Sequence, residues 1–186
     1  FEETIYVTPS RAARETQDRI VESVQRAVHA LDLREGPVHA EVRVNPRGVY
    51  VIEIAARAIG GLCPRVLRFG AGLSLEELIL RHATGEDVSS VERESRAAGV
   101  MMIPIPRGGI LRGVRGLDRG REVRGIEAIV LSIPVGQEVV PLPEGHRYLG
   151  FIFARAERPE EAEAALREAH QELEIEISGS RRSNSA

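Results

Sequence analysis

Two glutamates and an arginine, Glu41, Glu53 and Arg57, are the residues of this sequence whose types and spacing could do chemistry together. Glu41 sits in a run where Val38, Ala40, Val42 and Val44 alternate with His39, Glu41 and Arg43, the two-residue period of a half-buried strand. Glu53 sits in the β-rich run Val49 to Ile54, which follows the link Asn45-Pro46-Arg47-Gly48. A three-residue loop Pro46-Arg47-Gly48, with Gly48 in the left-handed position of a bulge, would pair Asn45 with Val49, Arg43 with Val51 and Glu41 with Glu53. A two-residue loop would instead pair Ala40 with Glu53 and move the carboxylates to opposite faces. Like charges directly opposite destabilise a hairpin, so a Glu41/Glu53 pair needs a reason to exist, and a divalent cation is one. Mg²⁺ commonly takes one or two protein carboxylates and fills its other positions with water and phosphate oxygens. Arg57 would add a permanent positive charge beside them. The plainer alternative is a solvated sheet face on which both glutamates pair with Arg43 or Arg57. Spacing leaves both open.

The elements that must position these residues follow from pattern. Thr8-Pro9 offers a helix N-cap and a proline at the first helical position, and Ile20, Val24, Val28 and Leu31 continue an amphipathic helix to about Leu33. Past the hairpin, Cys63 to Phe69 reads as a short helix or turn. Ser74-Leu75-Glu76-Glu77 reads as a capping box for a helix ending near Gly85, and a second polar helix is expected from Asp87 to Ala98. Strands at 100–105, 109–114, 126–133, 147–155 and 172–177, with helices at 117–123 and 159–171, complete the pattern. The expected organisation is α+β. An antiparallel sheet with packed helices spans 1–98, a small α+β domain spans 99–177, and the polar stretch 178–186 is a flexible tail.

The 186 residues carry 25 basic and 28 acidic side chains, a formal charge of −3, so there is no global basic field to drive nucleic-acid or anionic-membrane binding. Every basic residue is arginine; there is no lysine. No run approaches the ~18 apolar residues of a membrane span. The single cysteine, Cys63, fits a reducing, cytoplasmic setting and reads as a buried small hydrophobe.

The stretches Gly36-Pro37-Val38-His39-Ala40-Glu41-Val42-Arg43-Val44 and Val51-Ile52-Glu53-Ile54-Ala55-Ala56-Arg57-Ala58-Ile59-Gly60-Gly61 resemble the late metal-binding motifs of the ATP-grasp superfamily of carboxylate-amine ligases. The likeness runs from the preceding helix through the capped helix at Ser74, about the first half of the chain. His39-x-Glu41 and Ala55-Ala56 look most like the L-amino acid ligase branch, whose small C-terminal domain residues 100–177 also resemble. The fold implied is the C-terminal lobe of an ATP-grasp domain followed by that small domain. The resemblance makes Glu41 and Glu53 ligands of one or two Mg²⁺ ions bridging the β- and γ-phosphates of ATP, the co-substrate. Arg57 would stabilise the acyl phosphate and its phosphoryl transition state, Gly60-Gly61 would let backbone approach a substrate carboxylate, and His39 would touch substrate or phosphate. A packed, structural His39 is the alternative. One departure is visible: many members carry Asn two residues after the second glutamate, where this sequence has Ala55.

The activity implied is ADP-forming ligation of small carboxylate and amine substrates. Without lysine and without an initiator Met, the chain is expected to be the C-terminal portion of a longer ligase, inactive alone and a weak binder of ATP. The rival readings are a purine-pathway or carboxylase-type ATP-grasp enzyme, such as one like phosphoribosylglycinamide synthetase, and a non-catalytic interaction module. The segment Arg107 to Gly125, with six Arg and six Gly, could suggest RNA or phosphate binding, but interleaved apolar residues and the lack of aromatics favour an ordinary structural segment. The expected partners therefore include no nucleic acid and no membrane. Helix 159–171 is read as packed on the small domain's sheet, with a homodimer contact as its other use.

Overall fold

In the computed structural model, which describes residues 4–70 and 72–179, the chain opens with strand β1 (Ile5–Thr8) and helix α1 (Arg14–Ala30). Thr8 does not cap this helix, because it pairs in a strand with Ala98, and the Thr8-Pro9 peptide is cis. The helix begins only at Arg14, where Gln17 N donates to Ala13 O at 3.0 Å. Its half-buried positions, Thr16, Gln17, Ile20, Ser23, Val24, Ala27 and Val28, recur every three to four residues along one stripe. That stripe packs on the hairpin formed by β2 (His39–Asn45) and β3 (Gly48–Ala55), chiefly against β3. Asp32, at φ 54°, ends the helical course before Leu33.

A 3₁₀ turn (Cys63–Val66), with Cys63 buried, leads to the short pair β4 (Arg68–Phe69) and β5 (Leu73–Ser74). Helix α2 (Leu75–Ala83) then starts as its sequence dictates: Ser74 Oγ accepts from Glu77 N at 3.1 Å. The Glu77 carboxylate does not complete the box; it turns forward to Arg81 at 2.8 Å. The polar helix expected at 87–98 does not form. Asp87 accepts from Ser89 N at 2.9 Å, a local bond that competes with a helix start, and Arg93 bridges to Phe69. The last residues of that span enter strand β6 (Ala97–Ile103).

Strand β6 is buried at all seven positions. It lies between β1 and β10 (Gly150–Ala156), with β8 (Ile126–Leu131) beyond, in the order β1-β6-β10-β8. The intervening segments supply β7 (Gly109–Arg115), helix α3 (Leu117–Glu122) and the two-residue β9 (Glu138–Val139). Helix α4 (Pro159–Gln171) lays Ala162, Ala165, Leu166 and Ala169, all buried, on β6 and β10. Contact is close enough that a Cβ at Gly99 would stand 2.8 Å from Leu166 Cδ1. Strand β11 (Glu174–Ser178) completes a second sheet in the order β11-β7-β9. Every pairing is antiparallel, as an α+β fold of this kind requires.

Two compact units result. Residues 10–95 form one, and β1 together with residues 96 onward forms the other. Chain order alone groups β1 with the domain expected at 1–98, but hydrogen bonding to β6 puts it in the second unit. Of the tail expected at 178–186, Ser178 belongs to β11 and residues 180–186 lie outside the described residues. No helix among the described residues is long and apolar enough to cross a membrane.

Candidate functional site

The β2–β3 hairpin closes on a two-residue loop, Pro46-Arg47, with Asn45 opposite Gly48 and Arg47 N donating to Asn45 Oδ1 at 2.8 Å. Val44, Arg43 and Val42 then face Val49, Tyr50 and Val51. Continued unchanged, this register would set Ala40 opposite Glu53 and split the two carboxylates between faces. A bulge prevents that. One extra residue, Ile52, is inserted in β3, and pairing resumes with Glu41 opposite Glu53, Ala40 opposite Ile54 and His39 opposite Ala55. The carboxylates face each other as the sequence analysis expected, but the bulge that achieves it lies at Ile52 rather than Gly48.

His39, Glu41, Glu53 and Ala55 therefore share one face at the end of the hairpin remote from its loop. Each carboxylate has one oxygen engaged by a nitrogen donor. Glu41 Oε1 is 3.4 Å from His39 Nε2, and Glu53 Oε1 is 3.4 Å from Arg57 Nη2. The histidine is 17% exposed at its side chain and Glu41 38%, whereas Arg57 and Glu53 are 54% and 46% exposed. Just past β3, Arg57 N donates to Ala55 O at 2.8 Å, a tight turn that folds the chain back, and Arg57 Nη1 reaches Ala58 O at 3.1 Å. Gly61 has φ 64°, a left-handed conformation that favours glycine. At Gly60 an added Cβ would meet nothing within 4 Å, so crowding inside this chain does not explain that glycine.

This donor set fits a hard divalent cation of limited protein coordination. No group of three or more His, Cys, Asp or Glu side chains among the described residues could hold a metal. Two opposed carboxylates, each with one oxygen left over, match an ion that takes its remaining ligands from water and phosphate. They do not match a structural zinc or a calcium cage.

The segment Arg107 to Gly125 is absorbed by the second unit's own packing. Arg112 bonds Ser178 Oγ at 2.8 Å, Arg115 pairs with Glu174 and Glu176, and Arg119 with Glu172 at 2.7 Å. Gly116, at φ 80°, passes so close to Glu172 that no Cβ would fit. A cleft of about 470 Å³, which no sequence pattern signals, is lined by Arg96, Arg124, Gly125, Arg155, Glu157 and Glu161. Arg155 comes from β10, Arg96 from the bend just before β6 and Arg124 from a turn, and two of the three are matched by carboxylates, Arg96 by Glu157 and Arg155 by Glu127.

Comparison with known proteins bears on both units. A family model of the ATP-grasp domain matches residues 1–65, and one of the L-amino acid ligase C-terminal domain 2 matches residues 101–178. The crystal structure of L-amino acid ligase from Bacillus licheniformis is similar at TM-score 0.84 and 31% identity, over 96% of this chain and 45% of that one. Phosphoribosylglycinamide synthetase from Anaerococcus prevotii follows the same fold at TM-score 0.75 and 19% identity, over 94% and 45%. The uncharacterized protein y4rH of Sinorhizobium fredii is 27% identical over 170 residues, 91% of this chain and 36% of that protein. The chain thus spans less than half the length of these relatives.

Proposed function

We propose that this chain, which belongs to the ATP-grasp superfamily and resembles its L-amino acid ligase branch, carries the metal- and phosphate-handling part of an ADP-forming carboxylate-amine ligase. The observation that carries the reading is the Ile52 bulge, which places Glu41 directly opposite Glu53 where an unbroken ladder would separate them. A bulge that brings like charges together costs stability unless something of opposite charge comes between them.

In this reading Glu41 and Glu53 would hold one or two Mg²⁺ ions. Bound there, Mg²⁺ would supply charge neutralisation at the polyphosphate of ATP and a template for its alignment. A substrate carboxylate oxygen attacks the γ-phosphorus, the bond to the β-phosphate oxygen breaks, and ADP leaves an acyl phosphate. An amine then attacks the acyl carbon, the C–O bond to phosphate breaks, and the amine gives up a proton as the amide forms. Arg57 is the catalytic residue in these steps. Its guanidinium donates through one nitrogen to Glu53 and through another to Ala58 O, and offers its remaining N–H groups to the transferred phosphoryl oxygens. The open space at Gly60 leaves room for a substrate carboxylate, and Gly61 adds a left-handed turn of the backbone there. Positioning and electrostatics account for the protein's contribution.

The test is Mg²⁺-dependent phosphate release from ATP by the protein carrying this chain, across a matrix of amino acids and amines, with Glu53→Gln as control. Release that depends on particular carboxylate and amine pairs and vanishes in the variant supports the reading. Turnover retained by Glu53→Gln would sink the metal assignment, and release driven only by bicarbonate or a phosphoribosyl amine would replace the substrate class. The chain alone has no lysine to meet the polyphosphate, so calorimetry on residues 1–186 is expected to find weak ATP binding.

A further inference from the structure

We infer that His39 is a positioning residue for the Glu41 carboxylate rather than a contact for substrate. The inference rests on the proposed metal role of Glu41 and deepens it. At the end of the hairpin the two carboxylates are held alike: Arg57 Nη2 takes Glu53 Oε1, and His39 Nε2 takes Glu41 Oε1, each at 3.4 Å. In both cases one oxygen is engaged and the other is left for a ligand. The two holders differ in exposure. Arg57 is more than half exposed, whereas the His39 side chain is 17% exposed, which leaves little of the imidazole free to meet a substrate. Its position on β2 sets it on the same face as Glu41, and the cross-strand place opposite it is filled only by the methyl group of Ala55.

Donation from His39 Nε2–H to Glu41 Oε1 restrains the carboxylate's rotation and leaves Oε2 for a ligand. Outer-shell donors of this kind typically change metal affinity ~10- to 100-fold when removed.

The experiment titrates Mn²⁺, read by its electron paramagnetic resonance signal in the presence of ATP, into the protein carrying this chain and into Glu53→Gln, His39→Ala and His39→Gln. Thermal melts of each variant check folding. The expected result is loss of Mn²⁺ binding in Glu53→Gln and about tenfold weaker binding in His39→Ala. His39→Gln, whose amide N–H stands near the place of Nε2, should recover most of that loss. Wild-type Mn²⁺ affinity in both folded His39 variants, with a raised KM for one substrate, would overturn the inference and return His39 to the substrate. Unchanged Mn²⁺ binding in folded Glu53→Gln would instead overturn the metal reading, and this inference with it. If His39→Ala does not fold, His39→Gln decides alone: affinity near wild type supports the role, and affinity lowered tenfold or more overturns donation from Nε2.

Discussion

In the second unit β6 buries every one of its residues, and Leu111, Leu149, Ile152 and Leu166 are fully enclosed. Among the described residues of 10–95, by contrast, the buried apolar side chains are confined to Cys63, Pro64 and Val66, while Val21, Leu31, Val44, Tyr50, Ile52 and Leu80 stand exposed. Both α1 and α2 lack any buried residue, whereas α4 has four. The two regions spend their sequence differently. Around β6 and α4 the chain builds a core dense enough to stabilise itself, with arginine-carboxylate pairs at its edge. Around the hairpin it builds a frame whose ordered features are backbone features: a two-residue loop, a bulge and a tight turn at Ala55. Those features set the spacing of Glu41, Glu53, His39 and Arg57, a task that needs register more than burial.

If that contrast is right, substitutions in the two units should separate function from stability. The largest effect is expected from Glu53→Gln in the protein carrying this chain. Loss of ATP-linked phosphate release should reach about 100-fold or more, the scale of losing a principal charge-stabilising group, with a melting temperature equal to or slightly above that of the parent because carboxylate repulsion is relieved. Next, Leu166→Ala should cost about 2–5 kcal/mol in chemical denaturation, since it opens a cavity between α4 and β6. Val24→Ala, on the half-buried stripe of α1, should cost well under half of that; comparable losses would break the comparison. Removing the Ser74 cap by Ser74→Ala should cost about 1 kcal/mol and show as faster amide exchange confined to the first turn of α2.

The smallest effect is one of pH. Burial holds the His170 imidazole, on α4, below the ordinary histidine range, because it disfavours the charged form. A histidine lowered in the folded state binds fewer protons there than when unfolded. Its contribution to stability is therefore intact above about pH 6.5 and declines as the pH falls through that ordinary value towards the lowered one. Melting temperature should drop between pH 7.5 and 5.5, and His170→Gln should flatten that part of the profile. An unchanged slope in the variant would assign the drop to other groups.

Helices set by local chemistry were legible in advance. Pro159 at the first position, Glu160 and Glu161 in the first turn and the alanine-leucine stripe define α4 within its observed bounds, and Ser74 defines the start of α2. Where local signals misled, a distant partner had claimed the residue. Thr8 looked like a cap but pairs with Ala98, and the segment after Asp87 looked helical but ends in a strand completed by β1 and β10. Very short strands such as β9 carry too few residues for a periodic signal.

The same division holds at the candidate site. The sequence by itself determined which residues could act, because alternation along β2 puts His39 and Glu41 on one face whatever the partner strand does. It also determined that Arg57 follows Glu53 closely enough to reach it. Only the tertiary structure decided that Glu41 meets Glu53, because register depends on where a strand takes up one extra residue. Local preference pointed to Gly48, whose glycine suits a left-handed bulge, yet the strands pair straight past it and take up the extra residue at Ile52, on the strand that packs against α1.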